Sequence, residues 1–270
     1  MMRPQVRPWR GVAEGAGFFF MHRSSHDYHY LTQRWRALAR GAGLRLVLIA
    51  TVDGFPVYCL KSPALGHGGG LYLSAGIHGD ESASTEGLLA WAQRSQAQLR
   101  HLPVLVFPCL NPWGLVMNRR SDAGGNDVNR LFHSDQHPTV AAVRETAGPH
   151  TFDSAMLLHE DYDAQGVYLY ELSKRASVGE SILSAAGAVL PKDPRPRVDG
   201  RRARDGILRP RLSLSRFAEI GHPEALWLHL RGCARSITFE TPSEASLEKR
   251  VEAHAVAVAR MVELLPWSVS

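Results

Sequence analysis

The sequence predicts a single α/β domain with a mixed, mostly parallel sheet flanked by helices. The chain has 270 residues, of which 44% are hydrophobic, so it can bury one sizeable core. A strand, a helix and a second strand follow one another within residues 71–110, which is the βαβ order of parallel sheets. Several apolar runs end in a histidine or a glutamate, and the carboxyl ends of parallel strands share one edge of a sheet.

The elements before the predicted centre of the sheet are a helix and a hairpin. Residues 27–42 place apolar side chains at helical spacing. Residues 44–51 form an apolar strand, Asp53 and Gly54 form a turn, and residues 56–61 return as the second strand.

The other elements follow from the same periodicities. Strands are predicted at 71–77, 103–110, 154–158, 167–171 and 234–240, and helices at 82–99, 138–147, 177–189, 222–230 and 243–265. Residues 111–132 have little hydrophobic periodicity, which predicts a long functional loop. Residues 1–25 are expected to form a surface segment, and residues 191–211 a basic, Pro- and Arg-rich irregular excursion.

Charge and cysteine content limit the classes of function. The formal net charge is +5, but Lys and Arg are spread among acidic residues, so no nucleic-acid partner is expected. The three cysteines lie in apolar surroundings without a Cys-x-x-Cys pair, which predicts reduced core residues in a cytoplasmic protein. The apolar run 17–21 is short for a signal peptide, and no run reaches the roughly 20 apolar residues of a membrane span. Neither secretion nor a membrane partner is expected.

Three side chains at strand ends form the central prediction. His78 and Glu81 follow the strand at 71–77 in the sequence GIHGDE, and His159 follows the strand at 154–158. Two imidazoles and one carboxylate are the ligand set of an open catalytic zinc site, in which water takes the fourth position. Taken singly, each residue has a simpler interpretation, as a loop histidine, a helix-starting glutamate or a core histidine.

A fourth strand end carries Glu240, the last residue of SITFE. A carboxylate at the end of an apolar run is costly unless it faces a polar cavity or an ion. Glu240 is therefore predicted to be a general base that takes a proton from metal-activated water. The alternative is a glutamate that marks the exit of the strand into solvent.

The predicted loop at 111–132 supplies cations near the same edge. Arg119, Arg120 and Arg130 offer guanidinium groups to a carboxylate or an oxyanion, and Asn129 is a neutral hydrogen-bond partner. The alternative is a solvated loop whose arginines point to water.

The segments GIHGDE, NPWG, DVNRLF and ITFETPS, together with the strand-borne His159, resemble in order and spacing the zinc metallocarboxypeptidases of the carboxypeptidase A type. The resemblance extends over residues 71–243. It implies a zinc carboxypeptidase-like fold, one zinc ion held by His78, Glu81 and His159, and Glu240 as the base.

The resemblance also assigns the arginines. It implies that Asn129 and Arg130 bind the terminal carboxylate of the substrate and that Arg120 stabilises the oxyanion. Arg119 is the alternative for the oxyanion and a further candidate for substrate binding. The family also has a tyrosine that closes over the substrate, and this sequence has no clear match for it. The available tyrosines are Tyr162, Tyr168 and Tyr170.

Three functions are therefore compared. DVNRLF is also similar to succinylglutamate desuccinylase and aspartoacylase, whereas GIHGDE, NPWG and FETPS look more like bacterial carboxypeptidases and murein peptide amidases. The leading expectation is a cytoplasmic zinc hydrolase that cleaves an amide bond near the free carboxylate of a short peptide. The alternatives are an N-acyl amino acid amidohydrolase and a non-catalytic basic binding protein. Side-chain preference, stereochemistry and oligomeric state stay open.

Overall fold

In the computed structural model, residues 25–212 and 221–265 are described and form helical layers around one sheet. The elements in chain order are α1 (Tyr28–Gly41), β1 (Leu46–Val52), β2 (Phe55–Lys61), β3 (Leu71–Ser74), α2 (Ser82–Arg94), β4 (Val104–Phe107), α3 (Pro112–Met117), α4 (Pro138–Ala147), β5 (Ser154–Asp161), β6 (Tyr168–Ser173), α5 (Gly179–Ala186), β7 (Arg197–Val198), β8 (Arg201–Arg204), β9 (Ile207–Leu208), α6 (Glu224–Leu230), β10 (Arg235–Pro242) and α7 (Leu247–Glu263).

The described strands lie in the order β1-β2-β4-β3-β5-β10-β6-β9-β8-β7. The neighbouring strands β4, β3, β5 and β10 run parallel at the centre of the sheet. Antiparallel pairs flank this centre on both sides, and β6 pairs with β9 in parallel. The predicted mixed sheet is confirmed, with its parallel pairings concentrated at the centre. The carboxyl ends of β3, β5 and β10 therefore lie side by side.

Alternation along the strands divides the buried side chains into two cores. Leu71 and Leu73 of β3 belong to the core that contains residues of α1, α2, α5 and α7. Tyr72, between them, belongs to the core that contains residues of α4 and α6. Successive residues of a strand point to opposite faces, so a strand covered on both faces is apolar throughout. This explains the uninterrupted apolar runs that the sequence shows.

Helices α2 and α7 pack closely at Gly87. A Cβ atom built on Gly87 would lie 2.3 Å from the Cβ atom of His254. Any other residue would push the two helices apart, so glycine sets the distance between α7 and the helix that follows Glu81.

The predicted loop at 111–132 contains more regular structure than expected. The helix α3 begins after Asn111, whose side chain accepts a 2.9 Å hydrogen bond from the backbone N–H of Gly114. A 3-10 turn follows at Val128–Arg130. The loop prediction was wrong for these parts because α3 is too short to show helical periodicity.

The predicted excursion at 191–211 was wrong in being called irregular. It contains β7, β8 and β9, which extend the sheet beyond β6. Asp199 has φ 50° and Gly200 has φ 69° in the turn between β7 and β8, as two-residue hairpin turns require. The expected surface segment 1–25 lies outside the described residues except for Ser25.

Three further predictions concern burial and boundaries. The three cysteines are free and buried, as predicted. The strands β5 and β10 pair with each other as far as Asp161 and Pro242, so His159 lies within its strand rather than just after it, and Glu240 is not the last residue of its strand. The last helix begins at Leu247 rather than at the predicted residue 243.

Among the described residues, no helix combines the length and apolar character that crossing a bilayer requires.

Candidate metal centre and catalytic site

The side chains of His78, Glu81 and His159 converge at the carboxyl ends of β3 and β5. Nδ1 of His78 lies 2.6 Å from Oε1 of Glu81 and 3.2 Å from Nδ1 of His159. Nδ1 of His159 lies 2.9 Å from Oε2 of Glu81. One ligand atom from each residue lies within 4.8 Å of the others, and each residue is 3% exposed. The structure thus brings together the three residues that the sequence singles out.

This donor set fits a metal ion. The Nδ1 atoms of His78 and His159 face each other beside the Glu81 carboxylate, so three electron-pair donors point to one small volume. Oε2 of Glu81 is buried and makes no hydrogen bond, although the ring of His159 lies at ion-pair distance. A buried carboxylate oxygen without a hydrogen bond is costly. Coordination of a cation by two imidazoles and one carboxylate would remove that cost.

Two glycines shape the loop between β3 and Glu81. Gly76 has φ 62°, in the left-handed region that favours glycine. A Cβ atom on Gly79 would lie only 1.9 Å from the carbonyl carbon of Gly114, so this loop lies directly against α3. Glu81 then occupies the N-cap position of α2 without using its side chain as a cap. Its carboxylate is therefore available to His78 and His159. These three candidate ligands of one metal ion form the group that is called the metal cluster.

The charges of the cluster oppose the effect of burial. Burial would raise the pKa of Glu81, but His78 and His159 outweigh it and hold that pKa well below its usual range. Burial would lower the pKa of His78, but Glu81 and a hydrogen bond with Asp127 raise it to about 9. Without metal the cluster is therefore an ion pair, and a cation would take the place of the histidine proton.

Asp127 accepts a hydrogen bond from Nε2 of His78, the ring nitrogen that faces away from Glu81. The sequence did not single out Asp127 as a functional residue. Nε2 of His78 lies 3.2 Å from Oδ1 of Asp127, and Nη2 of Arg120 donates a 3.0 Å hydrogen bond to Oδ2. Despite burial, these partners hold the pKa of Asp127 below its usual range. Its place two residues before Asn129 in DVNRLF was the available signal, because metal-binding histidines commonly need a second, carboxylate partner.

The metal cluster opens into a cavity of about 450 Å³. Of the residues predicted from the sequence, Arg120, Asn129, Arg130 and Glu240 also line it, whereas Arg119 does not. The rest of the lining includes Tyr168, Tyr170, Leu172, Thr238, Ala225 and Arg201. Tyr162 lies outside the cavity lining with 60% of its surface exposed.

Glu240 is a buried carboxylate that faces this cavity. It lies next to His159 in the register of β5 and β10. Burial raises its pKa to about 8, and the negative charges of Glu81 and Asp161 act in the same direction. A carboxyl group that titrates near neutral pH can both accept and return a proton.

Backbone hydrogen bonds from the segment that leads into α6 fix the positions of Asn129 and Arg130. The backbone N–H of Glu224 donates a 2.9 Å hydrogen bond to Oδ1 of Asn129. The acceptor end of this amide is thereby used, and its NH2 end is available to a ligand of the cavity. The backbone N–H of His222 donates to the carbonyl oxygen of Arg130 at 2.9 Å. These hydrogen bonds fix the positions of the two residues in the lining of the cavity.

Comparison with known sequences identifies relatives over part of the chain. Residues 67–156 match the profile of the succinylglutamate desuccinylase/aspartoacylase catalytic domain. Murein peptide amidase A of Escherichia coli (strain K12) is 37% identical over 79 residues, which cover 29% of this chain. The matched stretch spans only 31% of the length of that amidase.

Comparison with solved structures extends over nearly the whole chain. A protein of Shewanella amazonensis SB2B, provisionally assigned as a metallopeptidase, has a TM-score of 0.79 at 23% identity, covering 89% of this chain and 94% of the other. A metallo-carboxypeptidase from Burkholderia cenocepacia has a TM-score of 0.65 at 17% identity, covering 87% and 68%. The chain has the metallocarboxypeptidase fold. The resemblance predicted from the motifs is confirmed at this level.

The sequence profile covers a smaller part of this metallocarboxypeptidase fold than the structural matches do. The profile match at 67–156 includes His78 and Glu81 but ends before His159 and Glu240. These two residues are placed by the pairing of β5 with β10, at the centre of the sheet.

Proposed function

We propose that this protein is a zinc-dependent hydrolase that cleaves an amide bond near the free carboxylate of a short peptide. The observation that carries the proposal is the convergence of His78, Glu81 and His159 beside Glu240, in a cavity that Arg130 also lines. When bound by the three ligands, zinc would supply a Lewis acid that polarises the scissile carbonyl and lowers the pKa of water.

Glu240 would move the proton. Its carboxylate takes a proton from the attacking water and returns it to the nitrogen of the leaving amine. In the metal-free site burial raises the pKa of Glu240 to about 8, so its carboxylate form is a stronger base than that of an exposed glutamate, and its protonated form can then donate the proton.

The cationic side of the cavity would orient the substrate. Arg130 and the amide NH2 of Asn129 bind the free carboxylate, since a guanidinium group can donate two parallel hydrogen bonds to it. Arg120 stabilises the negative charge that develops on the carbonyl oxygen. Asp127 keeps Arg120 beside the metal cluster through their 3.0 Å hydrogen bond. Arg119 has no role in this arrangement because it lies outside the cavity lining.

The names of the relatives suggest two substrate classes. The similarity to murein peptide amidase A supports a short cell-wall peptide as substrate. The desuccinylase/aspartoacylase profile supports the second candidate, an N-acyl amino acid with a free carboxylate. Both share the carboxylate that Arg130 would bind.

Cytoplasmic location stays a prediction from the sequence.

Product mapping by mass spectrometry distinguishes these candidates. The zinc-loaded protein is incubated with free-carboxylate peptides, a murein tripeptide and N-acyl amino acids, with the Glu240→Gln variant as the matched control. Cleavage of a peptide bond near a free carboxylate supports the leading proposal, and release of an acyl group alone supports the amidohydrolase. If no mixture yields a product, and the protein binds these anionic compounds much more tightly at low salt, the result would favour the basic binding protein.

A further inference from the structure

Two consecutive residues of β5 serve opposite sides of the sheet. Leu157 belongs to the core near α4 and α6, and Leu158 belongs to the core near α2 and α7. By the same alternation, His159 points to the cavity, and Glu160 points to the opposite face, into the layer that contains α2 and α7. A carboxylate directed into a helical layer needs partners, because an unpaired buried charge is strongly destabilising.

Glu160 finds those partners on two different helices. Its Oε1 accepts a 2.7 Å hydrogen bond from the backbone N–H of Ala83, in the first turn of α2. Its Oε2 accepts a hydrogen bond from Nη1 of Arg250 on α7, and the side chain of Glu160 is fully buried. Arg250 also donates from Nε to the carbonyl oxygen of Ala245 at 2.9 Å. One carboxylate thus joins β5, α2 and the start of α7.

We propose that Glu160 and Arg250 are positioning residues for the metal centre. The inference rests on the proposed metal-binding role of His78, Glu81 and His159. Glu160 follows His159 directly in the chain, and Ala83 is two residues after Glu81. The carboxylate of Glu160 therefore fixes the distance between the strand that carries one ligand and the helix that carries another.

A second contact, between His254 of α7 and Thr241 of β10, also fixes the position of α7 against the sheet. His254 lies one turn after Arg250 and its Nε2 is 3.1 Å from Oγ1 of Thr241, the residue after Glu240. Gly87 allows the close approach of α2 to His254. The helix α7 is thereby held in one register against the ends of β5 and β10, where Arg250 meets Glu160.

The chain contains a matched control for this arrangement. Glu171 on β6 is also fully buried, accepts a 2.9 Å hydrogen bond from the backbone N–H of Val178 at the start of α5, and pairs with Arg209 at 3.0 Å. The construction is similar, a strand carboxylate that joins a helix N-terminus and an arginine, although Arg209 is half exposed and the hydroxyl of Ser177 also donates to Glu171. None of the elements it joins carries a member of the metal cluster.

The test measures zinc affinity by competition with a chromophoric chelator and ligand geometry by the visible absorption of the cobalt-substituted protein. We expect Glu160→Gln and Arg250→Met to weaken zinc binding by about 10- to 100-fold, as loss of residues that orient metal ligands commonly does. The cobalt spectrum should change with them. Glu171→Gln and Arg209→Met should leave both readouts at wild-type values.

A conservative variant separates positioning from folding. Lysine can keep the charge at position 250 but not both hydrogen bonds, so Arg250→Lys should fold and bind zinc with an affinity between those of the wild type and Arg250→Met. Wild-type affinity and an unchanged cobalt spectrum in Arg250→Met would overturn the inference, and so would an equal loss in the Glu171 and Arg209 variants. Failure of the wild-type protein to bind zinc would instead refute the proposed function.

Discussion

Glu81 and Glu240 are both buried glutamates at the same edge of the sheet, but their surroundings shift their pKa values in opposite directions. Glu81 lies between two imidazoles, which hold its pKa below the usual range despite burial. Glu240 faces the cavity, where burial raises its pKa to about 8. The first is therefore a permanent anion suited to hold a cation, and the second is a carboxyl group suited to exchange a proton. The same residue type acquires opposite pKa shifts from its neighbours.

The largest expected effect comes from the ligand side of this comparison. Replacement of Glu81 by Gln removes the anion between the two histidines, so zinc affinity should fall by more than about 100-fold, beyond the loss seen for residues that only orient ligands. His159→Ala should have the same result. Equilibrium dialysis with metal analysis measures this directly. Full occupancy in either variant would show that the cluster is not the metal site.

The same substitution at position 240 should have a different result. Glu240→Gln leaves the three ligands in place, so zinc affinity should stay within a few-fold of wild type. The variant cannot accept the proton of water, and kcat should fall by about 10²- to 10⁴-fold. Steady-state kinetics on the substrate found by product mapping, with zinc content measured on the same sample, checks both. Wild-type turnover would remove Glu240 from the mechanism.

Substrate contact should depend on Arg130 but not on Arg119. The charged hydrogen bonds of Arg130 to a carboxylate are worth about 1.5 to 3 kcal/mol, so Arg130→Met should raise KM by about 10- to 100-fold. Arg119→Met is the matched control and should leave KM unchanged, because that side chain does not line the cavity. A similar increase in both variants would point to a general effect of charge on substrate binding.

The opposite pKa shifts of Glu240 and Glu81 should appear in how the melting temperature of the metal-free protein depends on pH. Between pH 4.5 and about 8, Glu240 keeps its proton in the folded state and loses it in the unfolded state, so its contribution destabilises the fold increasingly as pH rises. His78, with a pKa raised to about 9, stabilises the fold below pH 6.5 and loses this contribution as pH rises through 9. Metal-free Glu240→Gln should therefore melt at a higher temperature than wild type at pH 8 and equally at pH 4.

Glu81→Gln supplies the contrast in the same melting experiment. Glu81 ionises more readily in the folded state, so it stabilises the fold above pH 4.5 and loses this contribution as pH falls below that value. Metal-free Glu81→Gln should melt at a lower temperature than wild type at pH 6. Shifts of the same sign in the two Gln variants would contradict the assigned environments.

The sequence predicted the strand ends better than their partners. The apolar runs before His78, His159 and Glu240 indicate buried strands, and parallel order brings their ends to one edge. The hydrogen bond from Nε2 of His78 to Asp127 and the exclusion of Arg119 from the cavity depend on how the 111–132 segment folds. That segment has no periodicity from which its path could be predicted.

The pairing of Glu160 with Arg250 was also beyond sequence analysis. Alternation predicts that Glu160 faces away from His159, but not which helix lies opposite. The partner is 90 residues later in the chain, on a helix whose position depends on contacts such as that of Gly87 with His254. Periodicity identifies the face of an element, and only tertiary packing identifies the residue that meets it.

The hairpin of β7 and β8 contributes to the wall of the cavity from outside the centre of the sheet. Asp199 and Arg201 line the cavity, and the hydroxyl of Tyr170 donates a 2.5 Å hydrogen bond to Asp199. The hairpin joins the sheet through β9, at the edge farthest from β1, whereas the metal cluster is built on the central strands. Mutations in the hairpin can therefore reshape the wall of the cavity while the ligands keep their positions. This arrangement would allow related proteins to diverge in substrate preference without rebuilding the reaction centre.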